Sequence, residues 1–523
     1  MPEQDLPPGW EQTEIGVIAE VNPRLDKTAL ADDLPVSFVP MSAVEAGTGA
    51  IDVKTTRPLC NVRKGYTPFR PGDVLFAKIT PSMENGKMAV VPALQNDLGF
   101  GSTEFHVLRP YGKMSSKFLY YFTSSERFRR DAAHHMTGAV GQRRVPTSYL
   151  SKHVVPVPPA REQRRIVAKI EELFSELDKG IESLLTAREQ LEVYRQALMK
   201  HAFEGQLTAE WRESSGGAIE GVEALLARIA RLRESRDQQR LASWKEAVQA
   251  WEDGGECGPK PSKPRRSKPL EAIDQHELAA LPNLPGEWRY VRLADIACIG
   301  AGMSVSSRRE VRDPVEVPYL RVANVQRGHL VLDEIKTMTI ERSHQHRLRL
   351  ARWDVLFNEG GDRDKLGRGW IWNCQVDPCI TQNHVFRASP SLCSELHSKW
   401  ISYWGNSYGQ RYFNSEGKQT TNLASINKTV LSHFPVPLAP VQEQETVVQL
   451  LEEKVTVVDH LDEELTQALA RLDGLRQAIL KRAYDGRLVA QDTSDEPAWV
   501  LLESILAERH ARTNTEKKRA SAS

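Results

Sequence analysis

Two stretches of this chain place apolar or small residues alternately four and three apart. The first runs from about Arg161 to Phe203 and carries Ile166, Ile170, Leu173, Leu177, Gly180, Leu184, Ala187, Leu191, Tyr194 and Leu198. The second runs from about Gln442 to Tyr484. There Val447, Leu451, Lys454, Val458, Leu461, Leu465, Ala468, Leu472, Leu475 and Ile479 fall 281 positions further on, in the same phase, with Lys454 the one charged residue of the series. A 3.5-residue spacing sustained this long predicts two helices of roughly 65 Å each. A one-sided apolar stripe needs a partner helix, and the obvious partner of each copy is the other. Both copies end alike, RQALMKHAFEGQL (Arg195–Leu207) against RQAILKRAYDGRL (Arg476–Leu488). Gly205 and Gly486 stand where a left-handed cap would stop each helix.

The repeat extends beyond the helices. Val36–Val44 aligns with Val317–Val325, Asp73–Phe76 with Asp354–Phe357, Pro156–Pro158 with Pro435–Pro437, and Glu162-Gln163 with Glu443-Gln444, all at the same offset. His106–Arg109 aligns with His384–Arg387 three residues out of phase, and Trp10 and Trp288 each precede an apolar segment. This is a tandem duplication of a globular domain plus a long helix, with a period too long for a solenoid. Alternating Val36–Val44 predicts a half-buried strand, and Pro71-Gly72-Asp73 predicts a turn into the apolar Val74–Ala77. Phe118–Phe122 and Trp400–Trp404 open expected helices. The globular halves are therefore α+β. Between the copies, Gly221–Ala250 reads as helix and Gly258–Pro269 as a flexible basic linker. Leu501-Leu502 and Ile505 near the end echo Leu225-Leu226 and Ile229.

Composition changes this picture little. The 523 residues carry 69 basic and 69 acidic side chains, so nucleic-acid binding would have to come from local concentration of charge. No apolar run approaches the ~18 residues of a membrane span, the start is not a signal peptide, and six scattered cysteines suit reduced thiols. The expectation is a cytoplasmic protein with no membrane segment. A phosphate-binding loop, a dinucleotide fingerprint, an Asn/Asp-Pro-Pro-Tyr/Phe methyltransferase segment and a His-Glu-x-x-His motif are all missing. Cys374, Cys379, His384 and Cys393 have no zinc-module spacing. Asp354, Glu359, Asp362 and Lys365 admit a metal-dependent nuclease as an alternative. The corresponding loop of the first half does not repeat those acids, which argues against it.

A constant frame with divergent loops suits a reader of two different targets. Lys78, Thr80, Ser82, Asn85 and Lys87 in one half, and Asn358, Arg363, Lys365 and Arg368 in the other, can bond phosphates or base edges. A second strip precedes each long helix, Gly138–Arg144 and Gly417–Asn422. Its glycines let backbone amides approach phosphates, and Gln142, Arg143, Arg144, Lys418, Gln419 and Asn422 supply donors. The basic runs Arg127–Arg130 and Arg342–Arg352 are either solvated faces or followers of a phosphate backbone. His106 and His384 are expected to be structural. A coiled-coil scaffold that does not touch DNA is a further alternative.

The arrangement resembles the specificity subunit of type I restriction–modification systems. The resemblance rests on PVPPAREQRRIV (Pro156–Val167), PVPLAPVQEQETVV (Pro435–Val448), the shared helix endings and the order domain–helix–domain–helix. It covers nearly the whole chain. It implies two target-recognition domains (residues 1–158 and 282–437) and two spacer helices (159–207 and 438–488). A helical connector with a basic linker (208–281) and a C-terminal helix with a polar tail (489–523) complete the plan. The sequence leaves parallel and antiparallel helices open; the resemblance implies antiparallel packing as a coiled coil, with the domains held like calipers. Each domain would read half of a split, asymmetric site in double-stranded DNA. A spacing of about one helical turn, ~34 Å, fits a pseudo-two-fold protein. The resemblance implies no catalysis and no cofactor for this chain. Its partners would be two modification subunits using S-adenosylmethionine and two restriction subunits using ATP and Mg2+. The connector's helix, echoed at Ala498–Glu508, is an expected docking element for a modification subunit.

Overall fold

The structure is a computed structural model. It describes residues 6–27, 30–139, 141–214, 220–255, 260–264, 270–305, 311, 313–361, 365–419 and 424–520, with no side chains for 418–419 and 511–520. The chain divides into two compact units, Met1–Thr186 with Glu464–Ser523, and Ala187–Glu463.

In the first unit Val74–Ala77, buried throughout, pairs antiparallel with Phe105–Pro110 and Met88–Val90, and Ala19–Val21 joins the far side of Phe105–Pro110. A second four-stranded sheet orders Thr56–Pro58, Pro35–Val39, Gly99–Gly101 and Thr67–Phe69, its central pair parallel. The second unit repeats the plan. Val355–Asn358 and Ala297–Ala301 flank Val385–Pro390, and Pro314–Leu320 lies between Lys336–Glu341 and Ile380–Thr381, again with one parallel pair. The expected turn before Val74 forms: Gly72 has φ +83° and Asp73 accepts a hydrogen bond from Arg70 N at 2.8 Å. Asp354 accepts from Ala351 N at the same 2.8 Å, 281 positions on. The helices Ser116–Ser124 and Glu395–Asn406 open on Ser115 and Ser394, whose hydroxyls cap Phe118 N and His397 N.

The entry of each long helix is anchored by its own domain. Trp10 Nε1 donates to buried Glu162 at 3.1 Å, and Trp288 Nε1 donates to buried Glu443 at 2.8 Å. The recurring tryptophans and glutamates are thus one device. Gln163 and Gln444 turn back to the carbonyls of Pro158 and Ala439. The segment leaving the other long helix also reaches this carboxylate. Gln491 bonds Glu162 at 2.7 Å in the first unit, and Thr208 bonds Glu443 at 2.7 Å in the second, where Arg212 pairs with it too.

The helices Ala160–Phe203 and Val441–Tyr484 run antiparallel. In the first unit Asp178 pairs with Arg476 and Gly180 lies against Leu472. In the second, Arg188 pairs with Asp462 at 2.9 Å and Arg195 with Asp459. Partner numbers fall as the helix number rises. The apolar seam is not buried along its whole length. Ile166, Ile170, Val447 and Leu451 are enclosed because a globular domain covers them, whereas Tyr194 (50%), Leu461 (41%) and Leu475 (50%) remain exposed. Two helices alone cover only one side of an a/d stripe.

The connector helix Val222–Asp253 and the tail helix Ala498–Ala520 do equivalent work. Val222, Leu225 and Ile229 join the core around Trp288, Leu293 and Ile296, and Ala498, Leu501 and Ile505 join the core around Trp10, Ile15 and Ile18. Arg233 donates to Asp295 O and Arg509 to Val17 O. The apolar stripe of the tail helix is covered by the chain itself, while among its described side chains Trp499 (51%) and Leu506 (41%) are the large apolar ones that face outward. No helix among the described residues is long and apolar enough to cross a membrane.

Candidate nucleic-acid interface

The two strips that are far apart in sequence meet in each unit. Beyond Ala77 the chain bridges to the pre-helix strip, with Ile79 opposite Arg144 and Arg144 opposite Thr137. In the second unit Gly360 stands opposite Ser425 and Ser425 opposite Lys418. Each of the second set lies 281 positions after its counterpart. One backbone platform is therefore built twice, at the end of the same core strand.

On the first platform the loop folds tightly on itself. Met83 N bonds Ile79 O, Lys87 N bonds Ser82 O, and Met83 is buried as the loop's own core. Asn85, Gln142 and Arg143 are exposed; Lys78, Thr80, Ser82, Lys87 and Arg144 are half-buried. Some already have partners. Lys87 donates to Met41 O at 3.2 Å, Thr80 faces Met136 Sδ at 3.7 Å, and Arg143 lies 3.5 Å from Glu84. Arg144 grips Glu104 through Nε and Nη2, both at 2.9 Å. That pair holds the Glu104 carboxyl below its usual range and raises the guanidinium of Arg144. Gly138 (φ +123°) permits the hairpin, since a Cβ there would sit 2.9 Å from Gln142 O.

On the second platform Asn358 is fully buried, and its amide donates to Val325 O at 2.9 Å. The expectation that it bonds DNA is corrected: it joins the strand to a neighbouring loop, and burial removes it from any ligand. Lys365 and Arg368 are half-buried, the Lys365 stem lying over Gly361. Lys418 and Gln419 form the outer strand of the platform. Arg363 and Asn422 lie outside the described residues. Glu359, half-buried, accepts from exposed His384 at 2.8 Å.

Sequence reading missed Glu104, and took His384 for a structural histidine. The strand register shows why. Phe76 pairs with His106 and Phe357 with Phe386, so the core position of His106 is filled by Phe386, while His384 stands where Glu104 stands. His106 itself is structural: buried, bonded to Val145 O at 2.8 Å, its pKa lowered by burial. In this strand the offset is 280, one short of the 281 found elsewhere, whereas the matching HV pair suggested 278 and so hid Glu104.

The acids weighed as a nuclease do not converge. Asp354 is buried, receives Ser389 Oγ and Ala351 N, and burial raises its pKa. Among the described residues no group of three or more His, Cys, Asp or Glu side chains could hold a metal ion; Asp362 lies outside them. Cys379 is a buried free thiol pushed up to about 12, and Cys374 and Cys393 are exposed.

Comparison with known proteins gives a consistent picture. The family model for the type I restriction modification DNA specificity domain matches twice, at residues 7–187 and 285–470. The EcoAI specificity subunit of Escherichia coli is 26% identical over 488 residues, covering 87% of this chain and 79% of that protein. The EcoEI specificity subunit, also of Escherichia coli, is 26% identical over 501 residues, covering 91% and 83%. Among solved structures, a chain of a type I R-M system superposes with a TM-score of 0.66 at 21% identity, covering 92% of this chain and 100% of that one. The HsdS subunit from Thermoanaerobacter tengcongensis gives 0.50 at 20% identity, covering 93% and 99%. At these identities the two structures bear on the fold.

Proposed function

Because this chain belongs to the type I restriction modification DNA specificity family, we propose that each of its two units reads one half of a split, asymmetric site in double-stranded DNA. The chain is the DNA-recognition component. In this reading it carries no catalytic step of its own and holds two modification subunits on the site, to which two restriction subunits add. S-adenosylmethionine, ATP and Mg2+ belong to those partners.

The observation that carries the reading is the duplicated platform with unlike side chains. The backbone pairing at Ile79, Thr137 and Arg144 recurs at Gly360, Lys418 and Ser425, yet few of the side chains shown to solvent recur. A scaffold has no reason to keep a polar platform and vary its face. A reader of two sequences does, because backbone geometry sets the approach to the groove while side chains choose the base edges. Lys78, Asn85, Gln142 and Arg143 in one unit, and Lys365, Arg368, Lys418 and Gln419 in the other, are the proposed contacts. Arg144 joins the first set, Thr80, Ser82 and Lys87 support it, and Arg363 and Asn422 complete the second set.

The test is the methylated-adenine pattern of genomic DNA from cells carrying the chain with its modification subunit, against cells lacking the chain. A motif in two unlike halves with a fixed gap, lost on deletion, is the expected result. An unchanged pattern would reject the reading.

A further inference from the structure

Three side-chain positions recur on the two platforms with inverted chemistry. In the first unit they hold Lys78, Glu104 and Arg144; in the second, Glu359, His384 and Ser425. Main-chain hydrogen bonds fix the equivalence. Lys78 N donates to Glu104 O and Val145 N to Lys78 O, both at 2.9 Å. Glu359 N donates to His384 O at 2.9 Å and Ile426 N to Glu359 O at 2.8 Å. One loop of backbone thus presents the same three slots twice.

The contents of the slots dictate what each can bind. In the first unit both Glu104 oxygens accept from Arg144, so the acid is occupied and the slot shows donors, namely the Lys78 ammonium and those N–H groups of Arg144 that neither Glu104 nor Gln142 O takes. In the second unit His384 Nδ1 lies 2.8 Å from Glu359 Oε2, so one carboxylate oxygen is engaged by the ring. Asn383 Nδ2 lies 3.3 Å from His384 Nε2, on the other side of the ring. The other Glu359 oxygen and the exposed Ser425 hydroxyl are left to accept.

We propose that these three positions discriminate bases at one place in each half-site. The first slot takes an acceptor edge such as guanine O6 and N7. The second takes an amino-bearing edge, cytosine N4 or adenine N6. Glu104 is a positioning residue that aims Arg144. The proposal rests on the reading that each unit contacts one half-site.

The experiment expresses the full chain with its modification subunit in cells lacking their own copy, and reads the methylated-adenine motif across the genome. Lys78→Gln is expected to relax one base position in one half of the motif, and Glu359→Gln one position in the other half, each by roughly 5- to 100-fold. The unaltered half in each variant reports an intact chain. His384→Gln should act at the same position as Glu359→Gln, and Glu104→Gln at the same position as Arg144→Gln, which a merely structural role would not produce. Unchanged motifs in Lys78→Gln and Glu359→Gln would overturn the proposal. Loss of both halves together in Glu359→Gln would overturn it too, making the residue a structural post. A wild-type chain that yields no split motif removes the underlying reading itself, an outcome visible before any variant is made.

Discussion

The two units solve one structural problem with different chemistry at the turn that leads into Val74 and Val355. Asp73 is buried and bonded to Arg109 by two charge-assisted hydrogen bonds, at 2.8 and 2.7 Å. Asp354 is buried in the equivalent turn, but its side-chain partner is the hydroxyl of Ser389. Leu108 and Ala388 pair with Val74 and Val355, so Arg109 and Ser389 occupy one position of the fold. The acid and its backbone bond persist because they shape the turn. The partner varies because either an arginine or a hydroxyl satisfies a carboxylate. The same division separates the platforms' backbone from their side chains: what holds the frame repeats, and what does not is free to differ.

The largest expected break of this symmetry is removal of the tail. Deleting 498–523 uncovers the sites of Leu501 and Ile505, a loss of roughly 3–6 kcal/mol in apolar burial. Hydrogen exchange should accelerate at Ile15–Val21 and stay unchanged at the equivalent Leu293–Ala301, which the connector helix still covers. Equal acceleration at both would show that the tail acts on the whole chain.

A smaller contrast comes from the paired turns. Arg109→Ala strands a buried charge and should cost about 3–5 kcal/mol. Ser389→Ala leaves Asp354 its backbone bond and should cost about 1 kcal/mol. Denaturant titration of the two full-length variants measures both, and equal costs would mean that the arginine contributes nothing as a charge.

The smallest effect is in pH. Burial raises the Glu162 pKa from its ordinary 4.5. The unfolded chain therefore loses this proton first. Stability from this position is full below the ordinary value and falls as pH rises through the folded value. Glu162→Gln should flatten that fall while keeping an acceptor for Trp10. A stability–pH curve that is identical in the variant would assign the slope to other groups.

Much of the frame was readable before any coordinates. The 281-residue repeat, the long helices, the Asp73 turn and the kinship of the tail to the connector all follow from periodicity and matched residues. Tertiary cover was harder to read. The seam at Tyr194 and the seam at Ile170 are alike in sequence, and only the neighbouring domain distinguishes exposed from buried. Asn358 shows the same blindness at the site, since a buried amide bonding a carbonyl and a loop amide awaiting a ligand share one letter. The meeting of the Lys78 and Arg144 segments was also hidden, because strand pairing across about sixty residues leaves no periodic trace. The matching histidines misled outright.

One feature of the helix pair bears on how such chains change size. Glu162 is held from both sides by Trp10 and Gln491, and Glu443 by Trp288 and Thr208. Each helix is therefore pinned where it begins by the residues that follow the end of the other. An insertion in one helix alone would pull a pinned end out of place, however well it kept the seam in phase. A matched heptad of ~10.5 Å in both helices keeps the seam in phase and leaves each anchoring set of residues as it is, so the helix pair lengthens most simply in counted steps.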